Sequence, residues 1–185
     1  MKYLKLAYWT SLVMAIATLA ALGIIDQHLK TDASPLGIVS FELCAFSSTC
    51  AATTAAWGEE ARLMAAMSLG LDYLFMVAYP MAICCGLLVL APRLPGRFAG
   101  IATWLAWLVW VAGVADAVEN YHLFQMLLGH SVDTHQWPAT MAASIKFAAL
   151  TPALLAWLVF AAWAALRSSA VDRGAGPRRD GSRPS

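Results

Sequence analysis

Four charged residues interrupt the long apolar stretches of this 185-residue sequence: Asp72, Asp116, Glu119 and Lys146. An ionised side chain is costly inside a hydrocarbon layer, so such residues usually face the interior of a helix bundle and pair with one another. Three acids against one lysine leave negative charge that a proton, a cation or a ligand must balance. A carboxyl group that keeps its proton can serve as a general acid or base. We therefore treat these four residues as catalytic candidates.

Four further residues are predicted to line the same polar region and are ligand-binding candidates: Asn120, Tyr79, His122 and Asp26. Asn120 follows Asp116 by four positions and so shares its face of a helix. Tyr79 follows Asp72 by two turns on a comparable face, and His122 lies on the same helix as Asn120.

The charged residues are predicted to lie at one depth in the membrane. Each of the four helices carries a charged residue that is separated by roughly 20 residues, or about 30 Å of helix, from a basic residue at the opposite end of its apolar stretch. The pairs are Lys5 with Asp26, Arg93 with Asp72, Arg97 with Asp116 and Arg167 with Lys146. All four helices therefore deliver a charge to one level, near the outer boundary of the hydrocarbon. Such a cluster is either a brace between helices or a pocket open to the outer leaflet.

The composition requires lipid as the solvent of this chain. Hydrophobic residues make up 61% and charged residues 12% of the sequence, and the mean hydropathy is +0.66. These values are far from those of a soluble domain of this length. A net charge of +1 gives no electrostatic footprint for nucleic acid, so no nucleic-acid partner is predicted.

Four apolar stretches are long enough to cross about 30 Å of hydrocarbon as helices. They predict an all-α, integral membrane four-helix bundle in residues 1–167, with spans at about 6–25, 63–91, 98–122 and 138–166. Segment 34–58 predicts an external interfacial helix between the first two spans, because apolar residues recur there at helical spacing: Leu36, Val39, Leu43 and Phe46. Residues 168–185 are mainly Arg, Gly, Pro and Ser and predict a disordered cytoplasmic tail.

The basic residues predict a protein of the bacterial inner membrane with both termini in the cytoplasm. Nine of the 12 Lys and Arg residues fall on one side of the four-span arrangement: Lys2, Lys5, Arg93, Arg97, Arg167, Arg173, Arg178, Arg179 and Arg183. Lys30 and Arg62 fall on the other side, and Lys and Arg accumulate in cytoplasmic loops. A cleaved signal peptide is the competing interpretation of the N-terminus, because Lys2 and Lys5 precede an apolar stretch that ends in small residues.

The cysteines and histidines predict less. Cys44 and Cys50 lie in the external segment, where a disulfide is permitted, but a continuous helix would point them to different faces, so their pairing stays open. All four histidines are predicted on the external side: His28, His122, His130 and His135. No spacing aligns two of them as ligands on one helix face, and no metal site or cofactor is assigned.

Five short motifs carry a resemblance to known proteins: PLGIVSFELC at 35–44, AWG at 56–58, LGLDYLF at 69–75, DAVEN at 116–120 and SIKF at 144–147. Over roughly residues 3–165 they resemble a group of bacterial four-helix inner-membrane proteins without an assigned activity. The resemblance implies the four-span topology and no reaction. In size and in its acidic outer-leaflet cluster the chain is also similar, by analogy, to the small membrane isomerases and sterol-sensing proteins of the EXPERA family.

These features predict a polytopic membrane protein that binds, or binds and transforms, a small amphipathic or lipid-like molecule from the outer leaflet. The first alternative is a structural or accessory subunit of a larger membrane complex, in which the polar cluster is only a brace. The second is an oligomeric transporter, because four helices without an inverted repeat must associate to enclose a path. The partners are accordingly the lipid bilayer, an amphipathic ligand, and other membrane proteins or further copies of this chain.

Overall fold

The chain folds almost entirely into helices. The computed structural model describes residues 1–174. Four long helices in this range are α1 (Lys2–Asp26), α5 (Glu59–Leu90), α6 (Arg97–Leu127) and α7 (Val132–Gly174). Three short helices lie between α1 and α5, and they are α2 (Ile38–Glu42), α3 (Cys44–Ser47) and α4 (Cys50–Ala56). The predicted all-α fold is confirmed.

All four long helices are long and apolar enough to cross a membrane. The candidate spans are Lys2–Leu29, Glu59–Arg93, Arg97–Leu127 and Val132–Arg167, and each contains the apolar stretch predicted for it. This is the architecture of a multi-pass membrane protein. α7 continues to Gly174, into the region predicted as a tail, and the remainder of that predicted tail, 175–185, lies outside the described residues.

The long helices pack in chain order, with α1 on α5, α5 on α6 and α6 on α7, while α7 also touches α5. α1 buries only a narrow stripe, formed by the small residues Ser11, Ala15 and Thr18 together with Ile25. Small side chains at such a contact let two helices approach closely. Elsewhere α1 exposes large apolar side chains such as Ile16, as a helix facing lipid does.

α5 and α6 come close together at Gly113. A Cβ atom at this position would lie 2.8 Å from the backbone carbonyl oxygen of Met76 and 3.2 Å from Cγ of Pro80. The same side of α6 buries Ala102, Ala106, Val109 and Ala112 in the core of the bundle. Small residues on this face of α6 therefore set the spacing between the two helices that carry Asp72 and Asp116.

Residues 27–58, which we call the cap, lie over the end of the bundle where α1 ends and α5 begins. Leu29, Phe41 and Trp57 of the cap are buried in one apolar cluster with Leu69 of α5 and Leu123 of α6. The Trp57 indole Nε1 donates a 3.0 Å hydrogen bond to the backbone carbonyl of Leu29 and so joins the two ends of the cap. The cap is thus a folded layer with buried contacts to the bundle.

The cap is helical, as predicted for this segment, but it forms three short helices instead of a continuous one. The chain turns at Leu43 and again at Ser48, whose φ of 57° ends α3. These turns bring the Cα atoms of Cys44 and Cys50 within 4.8 Å, and the two cysteines form a disulfide. The broken helix therefore permits the pairing that a continuous helix would have forbidden.

Candidate functional site

Lys146 lies at the centre of a buried polar cluster. Its Nζ atom is 2.8 Å from Glu119 Oε2, 3.1 Å from Asp116 Oδ1 and 3.3 Å from Glu42 Oε2. The exposed fraction of these four side chains is at most 10%. Because α7 provides the lysine, α6 two carboxylates and α2 the third, the ion pairs join the cap to the bundle.

The helix register explains how α6 contributes to this cluster. Asp116, Glu119 and Asn120 are all buried, and their spacing of three and four residues places them on one face of the helix. Lys146 lies on α7 between Ala143 and Ala149, which are buried one turn to either side of it. The lysine therefore points into the bundle and not toward lipid.

Asp72 on α5 is connected to the cluster through Asn120. The Asn120 Nδ2 amide donates a 2.7 Å hydrogen bond to Asp72 Oδ2. Lys146 contacts the other acids, and among the side chains of residues 1–167 no basic group forms an ion pair with Asp72. The carboxyl group of Asp72 is thus held in place by an amide and not by a cation.

A cavity of about 300 Å³ lies beside the cluster, bordered by α1, the cap, α5, α6 and α7. Its polar lining includes Asp26, Glu42, Asp72, Tyr79, Asp116 and Lys146. Its apolar lining includes Leu19, Leu22, Phe75, Phe147 and Leu150. Charged groups and a hydrophobic wall therefore face the same space.

Two buried side chains of the cluster have polar atoms without a hydrogen bond to any described residue. Tyr79 is 5% exposed, and its hydroxyl lies beside Asp116 but forms no hydrogen bond. Glu119 is fully buried, and its Oε1 atom has no partner, whereas Oε2 contacts Lys146 as an ion pair. Buried polar atoms are nearly always hydrogen-bonded in proteins, and Tyr79 lines the cavity, so its hydroxyl marks a place where a further polar group fits.

Asp26 has a structural contact as well as a place in the cavity lining. Its Oδ1 atom accepts a 2.7 Å hydrogen bond from the backbone N–H of Ile38, at the start of α2. Gly37 lies directly against the Asp26 carboxyl group, and any side chain there would collide with it. Asp26 therefore fastens the cap to the end of α1.

The structure does not bring His122 to this site. His122 Nδ1 lies 2.9 Å from His135 Nδ1, so the two imidazoles join α6 to α7 close to the turn between them. Position 122 is rotated by about 240° around the helix from Asp116, which turns it away from the cavity. Among the described residues, no group of three or more His, Cys, Asp or Glu side chains is arranged to hold a metal ion.

Glu42 is the member of the cluster that the sequence reasoning missed. It is buried, contacts Lys146 and lines the cavity. A usable signal was present, because Glu42 is the only charged residue between Asp32 and Glu59 and follows an apolar stretch. Because that stretch was interpreted as a helix on the membrane surface, an acid within it was expected to face water and not the bundle.

Comparisons with known proteins add no family assignment. No protein-family model, curated protein or solved structure matches the chain. The resemblance to four-helix inner-membrane proteins and the analogy with the EXPERA family stay predictions.

Proposed function

We propose that this polytopic membrane protein binds a small amphipathic or lipid-like molecule in the cavity beside Lys146. One observation carries the proposal, namely that a buried charged cluster and an apolar wall border a single cavity. The polar head of the ligand would meet Asp72 and Asp116. Its apolar part would lie against Leu22 and Phe147, which line the same space.

The size of the cavity limits how much of such a molecule it encloses. Sites for small ligands typically measure about 300–1,000 Å³, and this cavity, at about 300 Å³, is at the lower limit. It therefore accommodates a head group and the first carbons of a chain. The remainder of a longer tail would extend into the surrounding lipid.

The proposed entry route runs between α1 and α7 at the cap end of the bundle. α1 packs mainly on α5, and Leu22 of α1 and Leu150 of α7 both border the cavity. Toward the other end of the bundle the two helices come together, because the rings of Tyr8 and Trp157 have centroids 6.2 Å apart. A lipid-soluble molecule could thus enter sideways without crossing the core.

We further propose that the cap lies on the external face of the bacterial inner membrane. The excess of Lys and Arg at the opposite end supports this orientation. The disulfide between Cys44 and Cys50 supports it independently, because disulfides persist in oxidising compartments. The ligand would then come from the outer leaflet.

A second candidate function is that of an accessory subunit in a larger membrane complex. The observation in its favour is the outer face of α6, where four large exposed apolar residues alternate at spacings of three and four: Trp104, Trp107, Val111 and Val114. This spacing is typical of a helix that packs along another helix. Under this alternative, the ion pairs of Lys146 only hold the cap and the bundle together.

Filling the cavity without disturbing the fold tests the proposed function. A side chain at Gly23, which lines the cavity, would meet no atom within 4 Å at its Cβ. We expect Gly23→Leu to fold normally and to lose the amphipathic molecules that co-purify with the wild-type protein. The measurement is mass spectrometry of molecules extracted from protein purified in mild detergent.

Gly70→Leu is the matched control, because Gly70 also has open space at its Cβ position but lies outside the cavity lining. It should keep the molecules that the wild-type protein binds. If Gly23→Leu and Gly70→Leu carry the same molecules as the wild type, ligand binding in this cavity is refuted and the accessory role is favoured.

A further inference from the structure

The charges around the cavity define the kind of head group that fits it, provided that the cavity is a ligand site as proposed above. Four carboxylates line the cavity, from Asp26, Glu42, Asp72 and Asp116, whereas Lys146 is the single basic residue of that lining. Lys146 is already engaged by three carboxylates, including Glu119 behind it. The space therefore borders more negative than positive charge.

Asp72 is the acid with the clearest need for a counter-charge. Lys146 pairs with the acids of α2 and α6, while within the described residues Asp72 receives only the neutral amide of Asn120. Asp72 is half-buried and lines the cavity, so a ligand can reach it. A cation that donates hydrogen bonds would supply both the charge and the proton donor that this carboxylate lacks.

Tyr79 points independently to a ligand with a polar head. Its hydroxyl is buried and lines the cavity, and it lies beside Asp116 without a well-aligned hydrogen bond to any described residue. A phenol oxygen accepts hydrogen bonds from an ammonium group as well as donating one. The ring of Tyr79 lies 5.0 Å from that of Phe75, which also lines the cavity, and aromatic rings favour a nearby cation.

We infer that the cavity selects amphipathic molecules with a primary or secondary ammonium head, and that Asp72 is the counter-ion. Tyr79 accepts a hydrogen bond from the head or from a hydroxyl group next to it. Phosphate, sulfate and carboxylate heads are disfavoured, because they would approach several carboxylates while Lys146 is occupied. Long-chain amines and amino-headed lipids without a phosphate are the corresponding ligand class.

The test compares three probes of equal chain length, decylamine, decanol and decyl sulfate. The wild-type protein is reconstituted in phosphatidylcholine nanodiscs at neutral pH, and bound probe is measured by equilibrium dialysis against empty nanodiscs. We expect decylamine to bind at least about tenfold more tightly than decanol, the scale of one charge-assisted hydrogen bond, and decyl sulfate not to bind. This series does not depend on the folding of any variant.

Two acid variants then locate the counter-ion. Asp72→Asn keeps the shape of the side chain but should reduce the preference for decylamine to that for decanol. Glu60→Gln removes one charge from an exposed position of the same helix, and it should leave the preference unchanged. Tyr79→Phe should weaken decylamine binding a few-fold.

The outcomes separate the inference from the proposed function. If decanol or decyl sulfate binds as well as decylamine and Gly23→Leu abolishes that binding, the cavity is a ligand site but the ammonium preference is refuted. If Asp72→Asn retains the full preference, Asp72 is not the counter-ion and the inference fails. If no probe shows binding that Gly23→Leu removes, the inference and the proposed function both fail.

Discussion

At the scale of single residues, the cost of burying Lys146 decides what the cluster can be. An ammonium group removed from water is destabilising unless it gains close and well-placed partners. Here three carboxylate oxygens lie within 3.3 Å of Nζ. The lysine therefore stabilises the fold only as long as the buried acids are present, because without the lysine each of these acids would be an unpaired buried charge.

This arrangement predicts that Lys146→Met lowers the free energy of unfolding by about 3–5 kcal/mol, the usual scale for removing one partner from a buried charge pair. Unfolding by sodium dodecyl sulfate in mixed micelles measures the loss. Lys30→Met is the control, because Lys30 is exposed and its ammonium contacts only Gln27 among the described residues, and it should change stability little.

Adding Glu119→Gln to Lys146→Met should recover much of that loss, because Glu119 is the closest acid and is fully buried. A double-mutant cycle would reveal the recovery as coupling between the two positions. Strictly additive losses would contradict the ion pair itself.

At the scale of helices, the packing of α5 on α6 fixes the distance between Asp72 and Asn120. We expect Gly113→Ala to destabilise the protein by about 1–3 kcal/mol, because the added methyl group would collide with the backbone oxygen of Met76 and push the helices apart. Gly100→Ala on the same helix meets nothing within 4 Å and should be neutral or stabilising by up to about 1 kcal/mol. Equal effects of the two substitutions would refute the close approach at Gly113.

The cap provides a second prediction at this scale. Leu36 and Phe46 are exposed, at 65% and 61%, although both are large and apolar, so we expect them to rest on the lipid surface. Nitroxide labels at these two positions should respond to lipid-soluble oxygen. Asp32 and Ala51 are also exposed, but one is charged and the other is small. Labels at these two positions should respond to a water-soluble nickel relaxant. Water exposure of all four labels would exclude a cap seated at the membrane surface.

At the scale of the whole molecule, the sequence could predict those features that follow from the regular geometry of a helix, such as the depth of a residue in the membrane. A fixed rise per residue made counting from basic residues sufficient to place Asp72, Asp116 and Lys146 at one level, and the structure brings them to one cavity. Depth alone does not decide which side of a helix a residue occupies, and His122, about 240° around α6 from Asp116, lies away from the cavity.

The part of the site that sequence could not predict belongs to the cap. Glu42 reaches Lys146 across a separation of 104 positions, and its place depends on the turns at Leu43 and Ser48. Those turns accompany the disulfide and the burial of Phe41, and neither follows from local periodicity. Contacts of this kind arise from tertiary packing, which a spacing pattern within one segment does not encode.

The orientation of the whole molecule is the last prediction, and two independent features lead to it. Lys5 and Arg93 border a cavity at the end of the bundle opposite the cap, together with Trp9 and Trp157. Tryptophan occurs at both membrane interfaces, whereas Lys and Arg accumulate on the cytoplasmic side, so the two basic residues favour a cytoplasmic location for this end. The cap contains the disulfide, which favours the proposed location of the cap on the oxidising side of the membrane. We expect reporter fusions after Arg97 and after Arg167 to read cytoplasmic. An Asp32→Cys variant should react with a membrane-impermeant maleimide in spheroplasts, whereas the wild type should not, because Cys84 and Cys85 are buried. A fusion after Arg167 that reads external would overturn the four-span orientation, and it would move the proposed ligand to the inner leaflet.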